Sequence, residues 1–115
     1  VSSQEDRELL EMAAKAAGIT ILRWGKTAGA FIGDGSAWSP LTDDGDALRL
    51  AATTGLTVRP YLNEMQAFAL GYRRTKACEH YKYDPDKPPH DQSGKMAAAR
   101  RAIVRSAAEI GGSMP

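Results

Sequence analysis

Three carboxylates stand within four residues at Asp43, Asp44 and Asp46. Oxygen ligands in that number are what Mg²⁺ or Ca²⁺ takes, and a metal-dependent enzyme built on them is one reading of the chain. The calcium-loop pattern, however, sets its ligands at alternate positions and closes on a distant Glu. Here Asp43 and Asp44 are adjacent and no such Glu follows. The same three residues suit the start of a helix, where unpaired N–H groups and the positive end of the dipole favour carboxylates by ~0.3–1 kcal/mol each. The structural role is the expected one.

A second grouping is Cys78, Glu79 and His80. Alternate residues of a strand share a face, so Cys78 and His80 can point together toward a metal or act as thiol and base. A zinc site needs three or four ligands, and a cysteine nucleophile needs an oxyanion site as well as a base. No further ligand or donor is marked nearby. His90 lies among prolines and reads as solvated. Gly25-Lys26-Thr27 resembles the end of a phosphate loop, but position 20, where the earlier glycine belongs, is Thr20. Gly33-Asp34-Gly35 is too short for a dinucleotide fingerprint. No catalytic, cofactor-binding or metal-binding residue is therefore assigned.

A third grouping has the chemistry of recognition. Tyr72, Arg73, Arg74, Lys76, Tyr81, Lys82 and Tyr83 interleave cations with aromatic rings. Single-stranded nucleic acid and nucleotide bases use such surfaces, and so do Tyr- and Arg-rich protein interfaces. Arg100, Arg101 and Arg105 lie opposite an apolar stripe and read as a solvated helix face, with Arg105 paired to Glu109.

The elements that must position these groups follow from periodicity. Ser3 and Asp6 resemble a capping box. Leu9, Ala13, Ala16 and Ala17 recur at helical spacing, and Gly18 is a stop. A helix is predicted over Gln4–Ala17. Ile19–Trp24 and Ala30–Ile32 read as strands. Asp34-Gly35 marks a two-residue hairpin turn of the type that favours glycine, with a return through Ser36, Ala37 and Trp38. Pro40 ends that strand. Thr42 is the expected N-cap of the next helix, whose apolar side is Ala47, Leu48, Leu50, Ala51 and Ala52, with Leu48 and Ala51 entering the core. Gly55 ends it.

Leu56–Leu62 reads as a strand, an edge or irregular one because of Pro60. Phe68, Leu70 and Tyr72 alternate with Ala67, Ala69 and Gly71, a period of two. A paired strand over Ala77–Tyr83 follows, then a mobile loop over Tyr83–Gln92. Ser93 is the expected cap of a last helix whose stripe is Met96, Ala99, Ile103, Ala107 and Ile110. No internal repeat is evident. The fold class is α+β: a single domain over residues 1–115, a small sandwich with a short, mainly antiparallel sheet packed by about three helices in the order α-β-β-α-β-β-α.

Composition bounds the function. A net charge of +1 gives no general attraction to nucleic acid or membrane. The single cysteine excludes an intrachain disulfide. No apolar run reaches the ~20 residues needed to span a bilayer, and Val1–Arg7 lacks the basic-then-apolar pattern of a secretory signal. A cytoplasmic setting is expected. The alanine-rich helices can pack within one chain or across a twofold axis, so a homo-oligomer stays open.

Three segments together resemble one family. They are Leu9-Leu10-Glu11-Met12-Ala13-Ala14-Lys15-Ala16-Ala17-Gly18-Ile19, then Trp38-Ser39-Pro40-Leu41-Thr42-Asp43-Asp44-Gly45-Asp46-Ala47-Leu48-Arg49-Leu50-Ala51, then Ala99-Arg100-Arg101-Ala102-Ile103-Val104-Arg105-Ser106-Ala107-Ala108-Glu109-Ile110-Gly111. In this order the chain is similar to small proteins of tailed bacteriophages and prophages, the phage ABA sandwich domain group. The resemblance implies helices on both faces of a sheet and a phage gene product acting in the cytoplasm of a bacterial host. It carries over no catalytic residue and no cofactor. From Leu56 to Gln92 it is silent. The leading expectation is a non-enzymatic accessory protein that binds a host or phage protein, such as a component of anti-phage defence, through the Tyr72–Tyr83 segment. The alternative is a nucleic-acid or nucleotide-binding module using the same hairpin.

Overall fold

A computed structural model describes residues 4–25, 29–69 and 75–114. Ser3, Lys26, Thr27, Leu70, Gly71, Tyr72, Arg73 and Arg74, invoked above, lie outside the described residues. The element order is α1 (Gln4–Ala17), β1 (Ile21–Trp24), β2 (Ala30–Ile32), β3 (Ala37–Trp38), α2 (Asp44–Thr54), β4 (Thr57–Pro60), β5 (Glu64–Ala69), β6 (Thr75–His80) and α3 (Lys95–Gly112). The domain is α+β, as expected. In detail it differs: each hairpin continues into a third strand, and the strands form two sheets instead of one. Strands β1-β2-β3 make the first and β4-β5-β6 the second, all neighbours antiparallel. Among the described residues no helix is long and apolar enough to cross a membrane.

The order αβββ therefore occurs twice, closed by α3. The halves share local detail that composition hides. Gly18 and Gly55, 37 positions apart, end α1 and α2 with φ near 71° and 72°. After each, the next residue donates its N–H to a carbonyl five back: Ile19 to Ala14 and Leu56 to Ala51, both at 2.9 Å. Only glycine adopts this left-handed cap without strain. The same spacing sets Phe31 and Phe68 on outward faces, where Arg23 and Arg59 lie 4.0 and 5.1 Å from the ring centroids. Their neighbours Ala30 and Ala67 are buried.

Helix α3 holds the halves together. It packs along α1 on one side, covers β5 and β6 on the other, and meets α2. Its burial is far wider than one stripe: Ala98, Ala102, Val104, Ser106 and Ala108 are buried with Ala99, Ile103, Ala107 and Ile110. A helix enclosed on most sides reads as alanine-rich all round, not as amphipathic. Small residues face it from the sheet too. The inward residues of β5 are Met65, Ala67 and Ala69, so the small face of its alternation is the core face and Phe68 points outward. At the far end, a Cβ on Gly111 would lie 1.8 Å from the Met12 carbonyl oxygen of α1. Leu10, Leu50 and Val104 are among the largest fully buried side chains, each worth about 1.5–3 kcal/mol of transfer free energy.

Three local expectations are corrected. The first hairpin turns through three residues, Gly33–Gly35, not two. Gly35 N–H donates to Ile32 O at 2.7 Å, and only Gly35 has positive φ there. Asp34 instead accepts from Ser36 N–H at 2.9 Å and from the Ser36 hydroxyl. The last helix has Gly94, not Ser93, at its N-cap, with no side-chain cap. The segment Tyr83–Gln92 is pinned: the buried Gln92 amide accepts from Asp84 N–H and donates to Asp84 O, both at 2.8 Å, and to Lys87 O at 3.1 Å. One buried amide supplies backbone partners that a short loop cannot supply for itself.

Candidate functional site

The segment from Trp38 to Leu50 joins the first sheet to α2. Trp38 is buried and Pro40 fully so, which anchors the end of β3. Asp43, not Thr42, is the N-cap: its backbone is extended and its carboxylate accepts from Asp46 N–H at 2.8 Å. Thr42 Oγ1 pairs with Ser39 Oγ across the preceding turn. Asp46 reaches back, accepting from Ser39 N–H at 2.9 Å and from Arg49 at 2.6 Å. Asp44 binds Arg100 of α3 at 2.6 Å, while Arg100 Nε donates to Leu41 O at 2.9 Å. All three acids thus have named partners in the joint. Among the described residues, no group of three or more His, Cys, Asp or Glu converges to hold a metal ion.

The arginines of α3 are not a solvated face. Arg100 is 19% exposed in its side chain. Arg101 binds Asp6 at 3.0 Å and approaches Glu5 and Glu79. Arg105 pairs with Glu79, not Glu109, and donates to Cys78 O at 3.1 Å. Planar guanidinium forks suit such carboxylate and carbonyl contacts. Glu79 therefore faces α3, while Cys78 and His80 face outward from the sheet. His80 Nε2 lies 3.6 Å from Glu64.

The described members of the Tyr/Arg segment differ in exposure. Tyr81 is only 9% exposed, and its hydroxyl donates to Tyr61 O at 3.0 Å. Tyr83 packs against the cluster of Met65, Tyr81, Ala98 and Ala99. Lys76 and Lys82 remain exposed. Tyr72, Arg73 and Arg74 lie outside the described residues.

Two recesses flank α2 instead. On one side an apolar groove of about 300 Å³ runs between α2, the second sheet and α3. Its floor includes Val58, Met65 and Ile103, and Asp44 and Arg100 stand on its rim. Leu48 and Met96, placed in the core by their periodicity, are 67% and 50% exposed and line it. Ala47, Leu50 and Ala51 take the inward face of α2; Leu48 sits about a quarter turn away. Sequence periodicity alone counts Leu48 as apolar without saying which apolar side chain the core has room for.

On the other side a cleft of about 450 Å³ separates α2 from the β2–β3 hairpin. Ile19, Ile32, Trp38 and Leu50 are apolar lining; Asp34, Ser36, Asp46, Arg49 and Thr53 are polar. Asp34 and Arg49 both titrate away from their ordinary values. The Ser36 hydroxyl and then its N–H hold the Asp34 carboxyl below the usual range. The hydrogen bond to Asp46, with the nearby Asp43 charge, holds Arg49 above its own.

No protein-family model, no curated protein and no solved structure matches the chain. Function must therefore be argued from the two recesses and the joint between them. Both recesses take residues of α2, one from its Asp46–Thr53 side and one from its Asp44–Leu48 side.

Proposed function

We propose that the chain is a phage-type accessory protein that acts by binding a protein partner in the bacterial cytoplasm, such as a component of host defence, and not by catalysis. The observation that carries this reading is the groove beside α2. Two large flexible side chains, Leu48 and Met96, stand exposed over an apolar floor. Exposed apolar recesses rimmed by charge are the usual form of an interaction site, and methionine adapts to a partner's shape. The resemblance of the joint and of α3 to the phage family supplies the setting. The groove is proposed as a contact surface in addition to the Tyr72–Tyr83 segment expected from sequence.

Affinity purification from bacteria carrying the phage or prophage tests it. Wild type is expected to recover a stoichiometric protein partner that Leu48→Asp and Met96→Asp both lose. The unfolding midpoint should barely change, because both side chains are already exposed. Recovery of the same partner by both variants would remove the groove from the interaction.

A second reading is nucleic-acid binding, favoured by the outward Arg23–Phe31 and Arg59–Phe68 stacks with Lys76 exposed nearby. It requires binding of a single-stranded oligonucleotide that weakens with salt and falls in an Arg23→Ala, Arg59→Ala double variant. Absence of binding at low salt would dismiss it.

A further inference from the structure

The two halves of the chain differ in how the helix after each sheet is seated. Behind the second sheet, α3 lies directly on β5 and β6 through alanine against alanine. Behind the first sheet, α2 stands off and leaves the 450 Å³ cleft. The volume is that of a site for a small ligand or a large side chain. The charges at the cleft are unequal in what they have left to give. Arg49 is answered by Asp46 at 2.6 Å and by Asp43 at 3.9 Å. Asp46 is itself engaged by Ser39 N–H. An incoming anion would have to compete with two carboxylates for that guanidinium. Asp34 accepts only from Ser36 and has no cationic partner among the described residues. Among the described residues its second oxygen takes no hydrogen bond, and Asp34 lines the cleft together with Ile19, Ile32, Trp38 and Leu50.

We propose that this cleft receives a basic side chain, lysine or arginine, presented by the protein partner, with its aliphatic stem on the Ile19–Ile32–Trp38–Leu50 floor and its cationic head at Asp34. Such side chains bury their stems on apolar surface while the charged end stays at the rim. A head at Asp34 gains a charge-assisted hydrogen bond that a neutral chain of the same length lacks. The inference rests on the reading of the chain as a protein binder but uses a different surface from the Leu48–Met96 groove.

The test is an NMR titration of the whole chain with N-acetyl-lysine N-methylamide and, separately, its norleucine counterpart, which keeps the stem and lacks the ammonium. The lysine probe is expected to move the Trp38 indole and the Ser36 and Thr53 amides. The norleucine probe should bind about tenfold more weakly, as should the lysine probe to Asp34→Asn. Asparagine keeps an acceptor for Ser36, so the turn survives. Three results would overturn the inference: no shift at these positions, equal binding of the two probes, or lysine binding unaffected by Asp34→Asn. If the probe leaves the cleft untouched while Leu48→Asp still loses the partner, the cleft assignment fails and the groove reading stands. If the probe fills the cleft while Leu48→Asp keeps the partner, the groove fails and the cleft stands.

Discussion

At the scale of single residues, the acids of the joint divide their labour. Asp43 caps α2, Asp46 ties the helix back to Ser39, and Asp44 reaches across to Arg100. Replacing the cap with alanine, Asp43→Ala, is expected to cost ~1 kcal/mol in urea unfolding, whereas Asp43→Asn should be near neutral because asparagine caps as well. Asp34 carries a different signature. Hydrogen bonds from Ser36 favour its charged form. Their stabilising effect is present above the ordinary carboxylate pKa and is lost as pH falls through the lowered folded value. A carbon-13 titration should find Asp34 below the ordinary ~3.9 of a free aspartate, and Ser36→Ala should move it back up. An Asp34 that titrates identically in the two proteins would contradict the assignment. That acids begin this helix was legible from their density before Ala47. Which acid caps it was not, since Thr42 and Asp43 are both good capping residues and only the turn at Ser39 decides between them.

At the scale of elements, α3 is the part whose neighbours most exceed what its sequence displays. The α1 boundaries and the glycine stops could be read locally, because caps and helical spacing act over a few residues. The partners of α3 could not. Arg101 meets Asp6 across 95 positions and Arg100 meets Leu41 across 59. A charged side chain looks alike in sequence whether it faces water or another element. The alanines on every side of the helix were the available signal of enclosure. Arg100→Met should cost about 1.5–3 kcal/mol, the range for hydrogen bonds to a charged group, as seen in urea unfolding. Gly111→Ala should cost about 1–3 kcal/mol through overpacking against Met12. Gly112→Ala is the control, since a Cβ there meets nothing within 4 Å. Equal stability of the two glycine variants would contradict the close α1–α3 approach.

At the scale of the whole molecule, two αβββ halves share one closing helix. Fluorescence of Trp24 and Trp38 reports on the first half, and far-ultraviolet circular dichroism reports on all helices. The two probes are expected to give one coincident unfolding transition, because α3 packs on α1 and on the second sheet alike; separated midpoints would show halves that fold independently. The two-sheet arrangement was not legible, because each hairpin pattern is compatible with joining a common sheet and strand pairing at distance is not written in periodicity. The halves leave α2 between an apolar groove and a charged cleft, and it is there that binding is proposed.

Photocross-linking tests that placement most directly. A photoreactive phenylalanine introduced at position 48, with the protein expressed in bacterial cells, is compared with the same group at Glu11, which is exposed on α1. The expected result is one discrete adduct from position 48, absent from position 11 and lost when Met96→Asp is added. No adduct from position 48, or the same adducts from both positions, would contradict a binding surface beside α2.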